Sequence, residues 1–412
     1  VKHALLSCFL LLTTAAAAQS SRLDLGHVDS LRSQVLHEKR GLWVYVPPAD
    51  PSGVFAPKRY PVLYLLDGDL HFASVMGLVQ QLSAVNGNAL CPEMIIKGIP
   101  HPFPTRTRDL TPTHATKRWD NQPDRTLATS GGGESFLAFL EKEVVPYIDT
   151  QYPTAPYRLL VGHSLGGLAV LNALATKPAL FNAYVALEPS VWWDQRVVLP
   201  KLAAAFQQGH IKDRKLFMAV AHTLPAGRDT TGIRRDTSAS TEHLRAELAG
   251  VDLLRRQSPA ALAWTWKYYP DESHGSVPLR ATDDALRAFF RHDEAPLPTS
   301  VADPTFSADA LRQQYRTRSQ QYGYPVLPPE ELVNLYAWGC LQKQQPTKAF
   351  DLFRLNLANY PTSFNAYSSM GAYYEQQGKT RQALLYYVQA LQLRDDPETR
   401  QKVKELHALK SK

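Results

Sequence analysis

Three cysteines in 412 residues, at positions 8, 91 and 340, are too few and too scattered for a disulfide framework. No long Lys/Arg run occurs, and a formal charge of +7 is small for this length, so nothing points to nucleic acid as a partner. The apolar run near the N-terminus stops well short of the roughly 20 residues that a membrane-spanning helix needs. Low hydrophobicity is absent too: 44% apolar and 10% aromatic content can build a sizeable core, which argues against general disorder.

What is present begins at the N-terminus. Lys2 and His3 precede the apolar stretch 4–12, and Ala15-Ala16-Ala17-Ala18 follows. A basic start, a short apolar run and small residues at a cleavage position predict a secretory signal over residues 1–18, and therefore an exported protein.

Residues 19–295 alternate short apolar runs with helical patterns. Strands are expected at 42–46, 61–66, 94–99, 158–161, 183–187, 215–221 and 263–269, and helices at 72–82, 133–148, 166–175, 241–254 and 277–290. That alternation predicts an α/β fold, a three-layer sandwich with a mostly parallel sheet. The polar stretch 102–132 reads as a long functional loop. A Pro-rich linker at 294–300 leads into an all-helical region, 296–412, expected to stand as a second domain. Ala349 and Phe353 are matched by Ala383 and Tyr387, a period near the 34 residues of tetratricopeptide units; an ordinary helical hairpin is the alternative. This tail is the candidate surface for a protein partner or self-association.

The chemistry is carried by Gly162-His163-Ser164-Leu165-Gly166, a G-x-S-x-G set between a strand and a helix. Such a turn is sharp enough to demand small flanking residues, and it lifts the serine to a helix N-terminus. A serine hydroxyl needs a base, and His274, after the last strand, occupies the position for one. The carboxylate that would orient it is less clear. Glu188, at the end of the strand 183–187, is preferred over Asp229 and Asp236, and a dyad without an acid stays open. Backbone N–H groups of Leu165 and Asp69 are the candidates for an oxyanion hole.

With these residues in place, the chain resembles the esterase D-like family of α/β hydrolases, which includes enterochelin esterases and trilactone siderophore hydrolases. The resemblance rests on Tyr64-Leu-Leu-Asp-Gly68, Arg108-Asp-Leu-Thr-Pro112, Phe139-Leu-Glu-Lys-Glu-Val-Val-Pro146, Gly162-His-Ser-Leu-Gly-Gly167, Pro189-Ser-Val-Trp-Trp193 and Asp271-Glu-Ser-His-Gly-Ser276. It implies the α/β-hydrolase fold and hydrolysis of a small-molecule ester through Ser164 and His274, with no metal and no cofactor. It also maps the oxyanion donor after Leu-Asp-Gly onto Asp69. Many relatives carry an acid soon after the penultimate strand, and this sequence does not. Arg106 and Arg108 are candidates for binding an anionic or catecholate group, and Trp192 and Trp193 for an aromatic wall. An acyltransferase using the same serine and histidine, or a non-catalytic scaffold working through its helical tail, are the rival readings.

Overall fold

A computed structural model of the chain describes residues 25–49, 53–87, 89–225, 230, 232–290 and 301–410. The expected leader, the linker and Asp229 lie outside the described residues.

Eight strands form one sheet: β1 (His27–Arg32), β2 (Lys39–Tyr45), β3 (Tyr60–Leu66), β4 (Ile95–Ile99), β5 (Thr154–His163), β6 (Ala183–Leu187), β7 (Arg214–Ala221) and β8 (Leu262–Tyr269). Their spatial order is β1-β2-β4-β3-β5-β6-β7-β8. Antiparallel pairing is confined to β1 with β2 and β2 with β4; β3 to β8 run parallel. Strands β3, β4 and β6 are buried at every position, as expected for a sheet covered on both faces. Alternate residues of β3 serve opposite cores: Val62, Tyr64 and Leu66 on one side, Leu63 and Leu65 on the other. Helices Leu165–Thr176, Val198–Gln207 and Glu242–Gln257 close the first face, and Gly68–Ser83 and Val277–Phe290 close the second. The three-layer α/β architecture expected from the alternation is therefore present.

The stretch 102–132 is not structureless. It holds a helix at Thr105–Leu110 and a single 3₁₀ turn at Arg125–Leu127.

Beyond residue 300 every element is helical. Glu330–Gln342 pairs with Pro346–Asn359, and Phe364–Gln376 with Thr380–Leu393, so both helices of the second hairpin start 34 residues after their counterparts (330 to 364, 346 to 380). Ala349, Phe353, Ala383 and Tyr387 are all buried. Gly371 lies so close to the Tyr387 ring that a β-carbon there would come within 2.7 Å of it. The tail is packed onto the sheet domain rather than tethered to it. Tyr322 meets Phe290 with ring centroids 5.0 Å apart, and Tyr324 meets Tyr157 at 5.3 Å. Both tail tyrosines are part of the second core.

Candidate active site

Three adjacent strands end at the same edge of the sheet on residues with left-handed backbone: Asp67 after β3 (φ 52°), Ser164 after β5 (φ 61°) and Glu188 after β6 (φ 44°). Non-glycine residues there cost on the order of 1–3 kcal/mol each, and such strain concentrates at functional sites. Ser164 has ψ −117°, and its N–H donates to Leu187 O at 3.0 Å. The turn is as tight as its glycines imply. A β-carbon on Gly162 would collide with Gly166 O, and one on Gly167 would stand 2.9 Å from Pro189 Cα. Leu165 and Asp69 both lie in the first turn of a helix, where backbone N–H groups have no partner within the helix.

Glu188 is fully buried at the end of β6. Its side chain reaches across to the end of β7, where Oε2 accepts from Ala221 N–H. The other oxygen, Oε1, stands 3.9 Å from His274 Nδ1 and 3.1 Å from His243 Nε2. Burial alone would raise its pKa, but the two imidazoles and the Ala221 N–H outweigh it and hold the carboxylate down at about 2. Asp236, by contrast, accepts from Ser238 N–H at 2.6 Å and lies 3.6 Å from Arg245.

His163 packs its ring against His274, with centroids 4.6 Å apart. Its Nε2 lies 2.7 Å from His274 O, so that nitrogen carries the proton and donates to the carbonyl. Burial, followed by repulsion from His274 and His71, pushes its pKa down to about 3 and keeps it neutral. His163, the residue before Ser164, thus holds the loop that carries His274. Ser190 adds a second tie: its N–H donates to Ser164 O at 3.0 Å, and the two hydroxyl oxygens are 3.4 Å apart.

The residues expected to contact substrate stand in different settings. Arg106 is clamped by both oxygens of Asp67, at 2.8 and 2.9 Å, and Arg108 by Glu38 at 2.6 and 3.0 Å and by Asp109 at 2.7 Å. Both guanidinium groups are ion-paired while about a third of each side chain stays exposed, and Arg106 also lies 3.5 Å from His163 O. Trp193 is fully buried, with its indole N–H donating to Thr113 O at 3.2 Å, so it supports the site from beneath. Trp192 does face open space. With Trp119, whose ring it meets edge-on at 5.3 Å, it lines a cleft of about 590 Å³ together with Lys117, Arg118, Glu242 and Arg245.

Two further residues stand near Glu188: His243, which the sequence places within a helix, and Glu247, which the sequence reading missed. His243 sits on the helix Glu242–Gln257, and Glu247, one turn later, is fully buried beside it, 3.8 Å from its Nε2. Burial, and then the charge of Glu188, push Glu247 well above the usual carboxylate range. The i, i+4 spacing of a histidine and a glutamate was the available signal, since it places both on one helix face.

A family model described as "Putative esterase" matches residues 33–249. The ferri-bacillibactin esterase BesA of Bacillus subtilis is 34% identical over 177 residues, 40% of this chain and 59% of that protein. A siderophore enterobactin esterase of Emericella nidulans is 28% identical over 55% of this chain and 80% of its own length. Among solved structures, an IroE-like serine hydrolase from Shewanella oneidensis matches with a TM-score of 0.66 and 31% identity, covering 81% of this chain and 99% of that one. That match extends past the sheet domain into the helical tail. The chain belongs to this esterase family.

Proposed function

We propose that this family member is a serine esterase in which Ser164 attacks the ester, His274 is the general base and Glu188 is its orienting carboxylate. The observation that carries the reading is the strained elbow of Ser164 at the same end of the sheet as a buried Glu188 that faces a half-exposed His274. Ser164 Oγ adds to the acyl carbon as its proton passes to His274 Nε2, and the Nδ1–H side of the ring faces Glu188. At 3.9 Å that contact is longer than a hydrogen bond, and the imidazolium charge draws it shorter as the proton arrives. The N–H groups of Leu165 and Asp69 receive the oxyanion. Collapse expels the alcohol, which takes the proton from His274. Water then cleaves the acyl-enzyme by the same steps.

The substrate class follows from relatives whose names specify siderophore esters and from the cleft beside Trp192. The cleft carries charges of both signs, with Lys117, Arg118 and Asp120 on one segment and Arg245 paired with Glu242, and Trp119 and Trp192 give it flat apolar faces, a combination suited to aromatic acyl groups with polar substituents. Export through residues 1–18 and a tetratricopeptide-like binding role for the tail complete the proposal. A fluorophosphonate probe should label the full-length protein at Ser164 and leave Ser164→Ala unlabelled. Catecholoyl-serine esters should be cleaved with higher kcat/KM than short acyl p-nitrophenyl esters. Labelling of Ser164→Ala at the wild-type rate would end the nucleophile assignment.

A further inference from the structure

Four buried polar atoms without hydrogen-bond partners gather in one place: Glu188 Oε1, His243 Nε2 and both carboxylate oxygens of Glu247. Buried polar atoms are almost always paired, and a group of unpaired ones calls for an ion or a water among them. The His243–Glu188 contact, at 3.1 Å, is within hydrogen-bonding distance, yet neither atom has a hydrogen-bonding alignment. One ligand atom each from Glu188, His243 and His274 lies within 4.8 Å of the others.

We propose that Glu188, His243, His274 and Glu247 form a binding site for a zinc-type divalent ion, and that filling it switches the esterase off. This second half rests on the function proposed above; the binding itself does not. Around a tetrahedral ion with bonds of about 2.0–2.1 Å, ligand atoms stand roughly 3.4 Å apart. Three of the separations, 3.1, 3.8 and 3.9 Å, bracket that spacing, and His243 and His274 come within 4.8 Å of each other, so side-chain movements of about an ångström would close the shell. Two imidazoles with carboxylate oxygens suit Zn²⁺ and its neighbours in the first row, not Mg²⁺ or Ca²⁺. The scaffold is fixed: His243 and Glu247 come from one face of a helix, and Glu188 from a strand end. His274, with its side chain 42% exposed, supplies the way in from solvent.

The inhibition follows from the proton count on one ring. A neutral imidazole has one N–H and one lone pair. If Nδ1 of His274 gives its lone pair to the ion, the proton must sit on Nε2, and no lone pair is left to accept the proton of Ser164. The ion therefore removes the base without displacing it.

The test uses full-length, chelator-treated protein and Zn²⁺ itself. Calorimetry should give one Zn²⁺ per chain for wild type and for Ser164→Ala, weakened at least tenfold in His243→Gln and in Glu247→Gln. Ester hydrolysis by wild type should fall with the same midpoint as binding and recover on adding EDTA, and Mg²⁺ at the same concentration should do nothing. In His243→Gln the midpoint should shift upward at least tenfold. Circular dichroism and thermal melts establish that the variants are folded, and either variant alone suffices for the comparison. Zn²⁺ binding unchanged in both folded variants, or absent from wild type, overturns the site and leaves the four atoms to a buried water. Binding that depends on His243 in a protein without esterase activity would keep the site and overturn the proposed function instead.

Discussion

Two buried glutamates, one in each half of the molecule, are treated in opposite ways. In the tail, Glu330 accepts from Ser363 Oγ at 2.5 Å, from Asn365 Nδ2 at 3.0 Å and from the Ala56 N–H at 2.7 Å. In the sheet domain, Glu247 meets no donor from the protein at either oxygen and faces a second carboxylate, Glu188, with which it can share only its own proton. A satisfied buried carboxylate fastens a structure; an unsatisfied one costs stability and is kept for something else. The first joins the tail to the loop before β3, and the second stands behind the acid that faces His274.

The sharpest way to break this contrast is to set Ser164→Ala against Glu330→Ala. Ser164→Ala should lower kcat on the order of 10⁴- to 10⁶-fold and leave the denaturation midpoint unchanged. Glu330→Ala should do the reverse, costing about 3 kcal/mol in urea unfolding while the folded fraction keeps its kcat. A loss under about 1 kcal/mol would place Glu330 among ordinary surface residues. A smaller effect is expected at Glu247. In metal-stripped protein, Glu247→Leu should be neutral or stabilise by about 1 kcal/mol, because it removes buried polar atoms that have no partners. Destabilisation by 3 kcal/mol or more would mean that Glu247 is as well satisfied as Glu330.

The mildest test is of pH. Lys97 is fully buried in β4, 3.1 Å from Asp29, and burial lowers its pKa to about 8 despite that partner. Unfolded lysine titrates near 10.4, so between about pH 8 and 10.4 the unfolded chain holds a proton that the folded chain has released. Stability contributed through this residue therefore rises with pH across that window and is lost as pH falls through 8. Relative to Lys97→Met, wild type should gain up to about 3 kcal/mol between pH 7.5 and 10.5. A pH-independent difference between the two proteins would show that Lys97 keeps its proton.

Seven of the eight strands were legible: the inner parallel strands as short apolar runs, and the outer strands β2 and β8 from their alternating apolar and aromatic residues. The eighth, β1, alternates between exposed and half-buried residues at the antiparallel edge, and His27-Val-Asp-Ser-Leu-Arg32 has too little apolar content to stand out. Ser164 and His274 were legible from their places relative to strands. Glu188 was legible as a strand-end acid, but its reach to Ala221 depends on the β6–β7 pairing, which no local pattern encodes. The partners of the arginines were illegible for the same reason: Arg106 finds Asp67 39 positions away and Arg108 finds Glu38 70 away. Trp192 and Trp193 are neighbours in sequence, and only the packing decides which one faces the cleft.

The bond between Ala56 and Glu330 spans 274 positions of chain. A ribosome adds about 5–20 residues per second, so the Ala56 amide waits on the order of tens of seconds for its acceptor to be made. Tyr157 and Phe290, whose rings Tyr324 and Tyr322 cover, stay open to solvent until the first helix of the tail has emerged. A growing chain carrying every residue assigned to chemistry thus still has an apolar flank uncovered. The tail closes that flank last.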